Sequence, residues 1–194
     1  YGMRTLLSEL VELVPSPAEG DPAHAEKWGT VEKIELKPAD AAPFAALVFK
    51  TVSEPHVGDV SIFRVLSGNV KNGAEVYNPP RSGLEKLNHL SVSQGKEKLE
   101  VDALHAGDIG VIAKLRDTHT NDTLATQAMP IVLPRVPFPD AVIHMAVAAK
   151  VRGEEDKLSV GLTRLAEEDP TFHWEYNPEV RQTWIRGLGE RHLD

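Results

Sequence analysis

The sequence predicts a mainly β protein with an α+β end: an antiparallel β-barrel followed by a truncated ferredoxin-like split βαβ domain. Two observations carry this prediction. Short runs of apolar and β-branched residues recur from Phe44 onward with turn residues between them, which is typical of a barrel. Beyond the proline-rich stretch 130–139 the order of elements becomes strand, helix, strand, strand. With 41% apolar and 26% charged residues, the 194-residue chain has enough apolar material for a core.

The first 15 residues predict a short helix. One apolar stripe runs along it, formed by Leu6, Leu10, Leu13 and Val14. Pro15 and Pro17 end the helix, because proline lacks the amide hydrogen and its ring clashes with the preceding turn. A helix of about 12 residues is not stable alone in water, so we expect its stripe to pack on another element. Residues 16–42, rich in Pro, Ala and charge, predict a linker with one short strand at 29–36.

Residues 43–134 form the predicted barrel. The expected strands span 44–52, 59–66, 75–77, 84–92, 98–101 and 109–115, with a further strand position at Val70. Turn residues separate these runs. The clearest turn is Asn72-Gly73, since both residues tolerate a positive φ. Many short strands at this spacing favour a closed antiparallel barrel.

Residues 135–194 predict the α+β domain. A strand is expected at 141–150, a helix at 154–167, strands at 172–176 and 182–186, and the start of a second helix at 190–194. This order lacks the last helix and strand of a split βαβ domain. The strand at 142–150 is therefore expected to be an open edge, and open edges recruit other chains. Self-association of this chain through the 142–150 edge is a hypothesis that follows.

Composition excludes several classes of function. The formal net charge of −8, from 21 basic and 29 acidic side chains, excludes bulk electrostatic binding to a polyanion. Residues 43–134 hold 9 basic and 10 acidic side chains, so the barrel alone could carry a local basic patch. The absence of cysteine excludes thiolate nucleophiles and Cys-ligated zinc and suits a reducing compartment. With no secretory signal or membrane-length apolar run in the sequence, we expect a cytoplasmic protein.

The sequence lacks the common catalytic motifs. Its one Gly-Lys pair, Gly95-Lys96, is followed by Glu97 and does not form a phosphate-binding loop. No two of the eight histidines lie three or four residues apart, so we predict no metal site. Asp117, Asp122 and the acidic run 167–169 could be acid/base carboxylates, or could form turns and helix ends. These observations favour a binding module and not an enzyme.

Four motifs give a more specific indication. Residues 43–68 closely resemble the start of the second domain of bacterial translation elongation factor G. Residues 106–109 (AGDI) and 115–124 (LRDTHTNDTL) resemble later signatures of that domain. Residues 165–172 (LAEEDPTF) and 187–194 (GLGERHLD) are similar to hallmarks of the family's third domain. The motifs occur in the family order, and the resemblance covers about residues 43–194.

The resemblance implies a ribosomal translocase that hydrolyses GTP. Residues 1–15 resemble the last helix of the family's GTPase domain, which implies nucleotide loops upstream of Tyr1 and further domains downstream of Asp194. GTP and Mg would then belong to the full-length parent, and we expect no cofactor and no enzymatic activity in this chain. A ribosome-protection or ribosome-recycling paralogue and a non-ribosomal interaction module remain alternatives. An enzyme that uses a pair of carboxylates in the barrel is a further alternative.

The resemblance also implies partners and site residues. In the family the barrel contacts small-subunit ribosomal RNA, for which the candidate basic residues are Lys50, Arg64, Lys71, Lys114 and Arg116. The third domain lies against the family's own GTPase domain and a small-subunit protein. The candidate interdomain residues are Thr171, Gly187, Gly189, Glu190 and His192. Residues that match Pro139, Thr171 and His192 line the family's interdomain pocket for fusidic acid.

Overall fold

The computed structural model describes residues 2–54, 56–95 and 97–194. These residues form two bodies rich in β-structure, preceded by helix α1 (Met3–Leu13). The apolar stripe of α1 is present as predicted, but the helix buries none of its residues, and Leu6 is 52% exposed. Within the described residues no helix is long and apolar enough to cross a membrane.

Residues 16–42 form a hairpin where the sequence predicts a linker with one strand. The hairpin consists of β1 (Ala23–Lys27) and β2 (Lys33–Leu36). Strand β1 also pairs with Ile131–Val132, a later strand, so that the two join the barrel body in a three-stranded sheet. Ala25 and Leu36 are each only 2% exposed. The hairpin is stable because it buries these side chains against a strand that lies far downstream in the chain, which composition does not reveal.

The barrel body is built from short antiparallel strands. They are β3 (Ala45–Glu54), β4 (Gly58–Ser67), β5 (Asn69–Lys71), β6 (Glu75–Asn78), β7 (Gly83–Lys86), β8 (Ser91–Gln94), β9 (Glu97–Glu100), β10 (Ala103–His105), β11 (Ile109–Ala113), β12 (Thr123–Ala125) and β13 (Ile131–Val132). A 3₁₀ turn (Pro79–Arg81) joins β6 to β7. Eight strands form one sheet in the order β7-β6-β12-β3-β4-β11-β8-β9, and β10 pairs with β5. The strands pack around a main core that contains Phe63 and Leu124, but the prediction of a closed barrel is wrong: within the described residues the sheets do not join into a continuous ring.

The predicted barrel-like fold is confirmed, with several differences in its strands. The run 84–92 is not one strand: the chain leaves β7, buries Leu87 and Leu90 completely in the core, and resumes as β8. His89 between them has a φ of 59°, which a continuous strand cannot contain. The very short strands β10, β12 and β13 carry no alternating pattern and were not expected.

The second body is the expected incomplete split βαβ unit. Its elements are β14 (Ile143–Val147), α2 (Glu155–Glu168), β15 (His173–Asn177), β16 (Gln182–Gly187) and α3 (Glu190–Leu193). The antiparallel sheet has the order β14-β16-β15, so β14 is an edge strand. One sheet face packs against α2 around Leu162, Phe172 and Ile185, each at most 6% exposed.

Gly68, just before β5, lies so close to the backbone of residues 42–44 that a side chain at this position would clash with it. Gly68 has a φ of 70°, and a Cβ at this position would lie 2.5 Å from the Ala42 carbonyl oxygen. Gly73 has a similar φ of 79°, but a Cβ there would meet nothing within 4 Å. Both glycines need the left-handed conformation, so only the steric contact differs between them.

We expect Gly68→Ala to lower the free energy of unfolding more than Gly73→Ala does. The Gly73 variant should lose about 1 kcal/mol from backbone strain, and the Gly68 variant about 1–3 kcal/mol more from the clash. Urea unfolding followed by circular dichroism measures both. Equal losses would show that the backbone at residues 42–44 moves away without cost.

Candidate functional site

A buried carboxylate positions the loop that follows β11. Glu85 on β7 is only 4% exposed. Its Oε1 accepts hydrogen bonds from the backbone N–H of Asp117 at 2.9 Å and from Thr118 Oγ1 at 2.9 Å. Both of its oxygens also accept from the N–H of Arg116 at 3.0 Å. Glu85 therefore fixes the backbone of residues 116–118.

A second buried carboxylate fixes the other end of this loop. Asp122 is 2% exposed, and its Oδ2 accepts from Arg81 Nε at 3.1 Å, Asn78 Nδ2 at 3.1 Å and the His119 N–H at 3.0 Å. Because Asp122 is buried and accepts from three donors that belong to the fold, the carboxylate stabilises the turn. Of the two interpretations of Asp122, this geometry supports the turn-forming one.

The predicted basic residues are all exposed, and none forms an ion pair with another described residue. They lie on different elements: Lys50 on β3, Arg64 on β4, Lys71 at the end of β5, and Lys114 and Arg116 in the loop after β11. Of the five, only Lys114 and Arg116 are close to each other in sequence.

Two of the basic residues line different cavities. Lys50 borders a cavity of about 840 Å³ whose other walls come from the second body. Arg64 borders a cleft of about 270 Å³ against the proline-rich segment 15–22.

Two of the interdomain candidates, Thr171 and His192, contact Asp169, the last residue of the acidic run 167–169. Asp169 ends α2, and its Oδ1 accepts from Thr171 Oγ1 at 2.6 Å and from the Thr171 N–H at 2.8 Å. Its Oδ2 lies 2.8 Å from His192 Nε2. The Leu188 N–H donates to His192 Nδ1 at 2.9 Å, so Nε2 carries the proton that is donated to Asp169.

The charge of Asp169 is favoured by this arrangement. Partial burial raises the pKa of the carboxyl, but the hydrogen bonds from Thr171 and from His192 outweigh it, and the net pKa is lowered. The side chain thus stays ionised and ties the end of α2 to the start of α3. Because Asp169 lies between a helix and a proline, its sequence context indicates a helix end and hides this role.

The remaining interdomain candidates differ in their surroundings. Gly187 ends β16, and a Cβ there would lie 2.6 Å from His192 Nδ1, so the glycine allows this close approach. Gly189 has an extended backbone with a φ of 174°, and nothing lies within 4 Å of a Cβ there, so neither its conformation nor its surroundings require glycine. Glu190 is exposed in the first turn of α3, and Pro139 is exposed before β14.

Of the interdomain candidates, only His192 lines the larger cavity. The cavity is lined by Phe138, Asp169, Phe172 and His192 together with apolar residues of α2 and β16, and Lys50 closes it from the barrel side. Thr171 does not line the cavity but is hydrogen-bonded to Asp169, which does. Pro139 does not line it either and is the sequence neighbour of Phe138, which does.

Comparisons with known proteins match both bodies separately. The model for elongation factor G domain 2 matches residues 43–127, and the model for elongation factor G domain III matches residues 138–194. Elongation factor G from one strain of Dehalococcoides mccartyi is 40% identical over 193 residues, and that from a second strain is 39% identical. The chain belongs to the elongation factor G family. It is fully covered by these curated relatives but spans only 28% of their length.

A solved structure supports the same assignment. A protein from Thermus thermophilus superposes with a TM-score of 0.78 at 30% identity, covering 99% of this chain and 26% of its own. In the terms of the family, the barrel body is domain 2 and the split βαβ body is domain III.

The buried carboxylate of domain 2 can be tested by its removal. We expect Glu85→Ala to lower the free energy of unfolding by about 3 kcal/mol, because it leaves the buried hydroxyl of Thr118 and the N–H groups of Arg116 and Asp117 without their acceptor. Glu85→Gln keeps an acceptor oxygen and should lose less. Chemical denaturation measures both changes.

The matched control is Glu75→Ala on the neighbouring strand β6, where the side chain is exposed. This variant should change the free energy of unfolding by less than about 0.5 kcal/mol. A Glu85→Ala variant as stable as the Glu75→Ala variant would contradict the anchoring role.

Proposed function

We propose that this chain is a ribosome-binding middle part of an elongation factor G that drives translocation of tRNA and mRNA. The proposal rests on one observation: domains 2 and III match in the family order while the chain spans 28% of its curated relatives' length. The sequence contains no phosphate-binding loop, so we assign GTP and Mg to other parts of a full-length parent.

The exposed helix α1 fits the same proposal. Its apolar stripe is solvent-exposed, with Leu13 at 75% and Leu10 at 48%. Exposed apolar surface of this kind is typical of a contact that another domain covers. In a full-length parent we propose that the GTPase domain covers this apolar surface. We also propose that residues 15–17, which include two prolines, connect that domain to domain 2.

Domain III is proposed to carry the interdomain contacts. Thr171, Asp169 and His192 form one hydrogen-bonded group at the rim of the larger cavity. With Pro139 they supply the domain III side of the family's fusidic acid pocket, while Gly187, Gly189 and Glu190 face the GTPase domain. The open side of β14 is the proposed site of self-association in the isolated chain.

Small-subunit ribosomal RNA is the proposed partner of the basic residues of domain 2. A lysine that contacts a phosphate releases counterions, so its removal weakens binding and lowers the salt dependence. We expect the double variant Lys71→Glu, Lys114→Glu to bind small ribosomal subunits more weakly, and the slope of log affinity against log salt to fall by about two. Sedimentation with small subunits over a series of salt concentrations measures this.

The matched control reverses two other exposed lysines of the barrel body, Lys33 on β2 and Lys86 on β7. It changes the net charge by the same amount, so only contact with RNA separates the two variants. A slope that is the same in both variants would reject the assignment of Lys71 and Lys114.

The translocase proposal is distinguished from a recycling or protection paralogue by activity. A full-length factor that carries this chain should show ribosome-stimulated GTP hydrolysis and should move tRNA and mRNA by one codon in a toeprinting assay. Hydrolysis without movement would favour the paralogues, and absence of any ribosome binding would favour a non-ribosomal interaction module.

A further inference from the structure

Three consecutive acidic residues lie at the end of α2, and two of them, Glu167 and Glu168, contact domain 2. Asp169 turns inward to its own domain, as described above. Glu168 Oε1 accepts a hydrogen bond from the backbone N–H of Ser53 on β3 at 2.7 Å. Glu167 Oε2 lies 2.6 Å from Nδ1 of His119, which belongs to the loop after β11. The second ring nitrogen of His119, Nε2, lies 3.0 Å from Asp117 Oδ1.

Both sides of this contact are anchored within their own domains. The His119 backbone N–H is held by buried Asp122, and the neighbouring N–H of Asp117 is held by buried Glu85. On the other side, Glu167 lies in the last turn of α2, which is anchored in domain III by buried Leu162. The imidazole is therefore placed between two carboxylates that the fold presents to it.

The hydrogen-bonding inventory of the ring makes this contact dependent on protonation. A neutral imidazole has one N–H donor, and an imidazolium has two. With carboxylate oxygens at both nitrogens, only the imidazolium donates to Asp117 and Glu167 together. The neutral ring can donate to only one of the two carboxylates. The other carboxylate then faces the lone pair of the unprotonated ring nitrogen, and no donor offsets the repulsion between the two negative charges.

Other charges near the ring act in both directions. On the domain 2 side Arg81 lies 3.9 Å from Asp117 and 3.1 Å from Asp122, and it opposes a second positive charge. On the domain III side the last turn of α2 holds no basic residue. The positive charge of a protonated His119 therefore offsets both the acidic side chains and the negative end of the helix dipole.

We propose that His119 is a protonation-dependent latch: its imidazolium strengthens the contact of domain III with domain 2 through Glu167, and loss of the proton weakens this contact. The latch is a property of this chain's own residues and does not depend on ribosome binding, so it stands or fails separately from the proposed function.

The direction of the pH dependence follows from the surroundings. Partial burial lowers the pKa of His119, but the hydrogen bonds and charges of Glu167 and Asp117 outweigh it, so the pKa is raised above its ordinary value of 6.5. A raised pKa means that the contact favours protonation. Its stabilisation is complete below about pH 6.5 and is lost as the pH rises through the raised pKa.

A distance measurement between the two domains tests the latch. The chain has no cysteine, so Asn88→Cys in domain 2 and Val180→Cys in domain III give two unique positions for spin labels. Both sites are exposed and lie outside the contact. We expect a narrow distribution of distances at about pH 6 that broadens at about pH 9.

Variants of the latch should separate from a matched control. His119→Gln does not titrate and should show the same distribution at both pH values. His119→Arg keeps two donors and its charge, and should keep the narrow distribution at about pH 9. His105→Gln removes another histidine paired with a carboxylate, Asp40, away from the contact, and should behave as the unmodified chain.

Two results would overturn the proposal. One is a distribution in the unmodified chain that is unchanged between the two pH values. The other is a pH-dependent broadening that persists in His119→Gln. Circular dichroism of each variant confirms that its domains are folded, and the opposite expectation for His119→Arg keeps the test decisive if His119→Gln loosens the loop.

Discussion

The segment 116–122 depends on two carboxylates that are removed from water, Glu85 and Asp122. A buried charge is expensive unless donors surround it, and here backbone N–H groups, a threonine hydroxyl and an arginine supply them. The same bonds that compensate the carboxylates determine the path of the loop. Because the loop cannot move without exposing an unpaired charge, it forms a stiff surface from which His119 can meet domain III.

The three acidic residues at the end of α2 each make a different contact. Glu167 faces the His119 imidazole, Glu168 accepts from the backbone of β3, and Asp169 joins Thr171 to His192. The turn from helix to extended chain points successive side chains in different directions. One short motif therefore couples the barrel, the helix and the start of α3. A structural element that contacts two neighbours in this way is what transmission between domains requires.

The elements that local pattern predicts correctly are those with β-branched runs or a helical apolar stripe, such as β3, β4 and α2. The elements that it misses have neither. Strand β1 is Ala-His-Ala-Glu-Lys and β12 is Thr-Leu-Ala, and both are strands because distant partners bury them. The sequence around Leu87 and Leu90 predicts a continuous strand. The strand is interrupted there because both leucine side chains are buried in the core.

The sequence by itself determined the class of each domain, their order and the family motifs, because strand and helix periods and turn residues act over a few positions. Tertiary structure alone decided which distant groups Glu85, Glu167 and Glu168 contact. Glu85 and Thr118 are 33 residues apart, His119 and Glu167 are 48 apart, and Ser53 and Glu168 are 115 apart. A hydrogen bond requires atoms within about 3 Å of each other, and only the packed fold brings such distant residues to that separation.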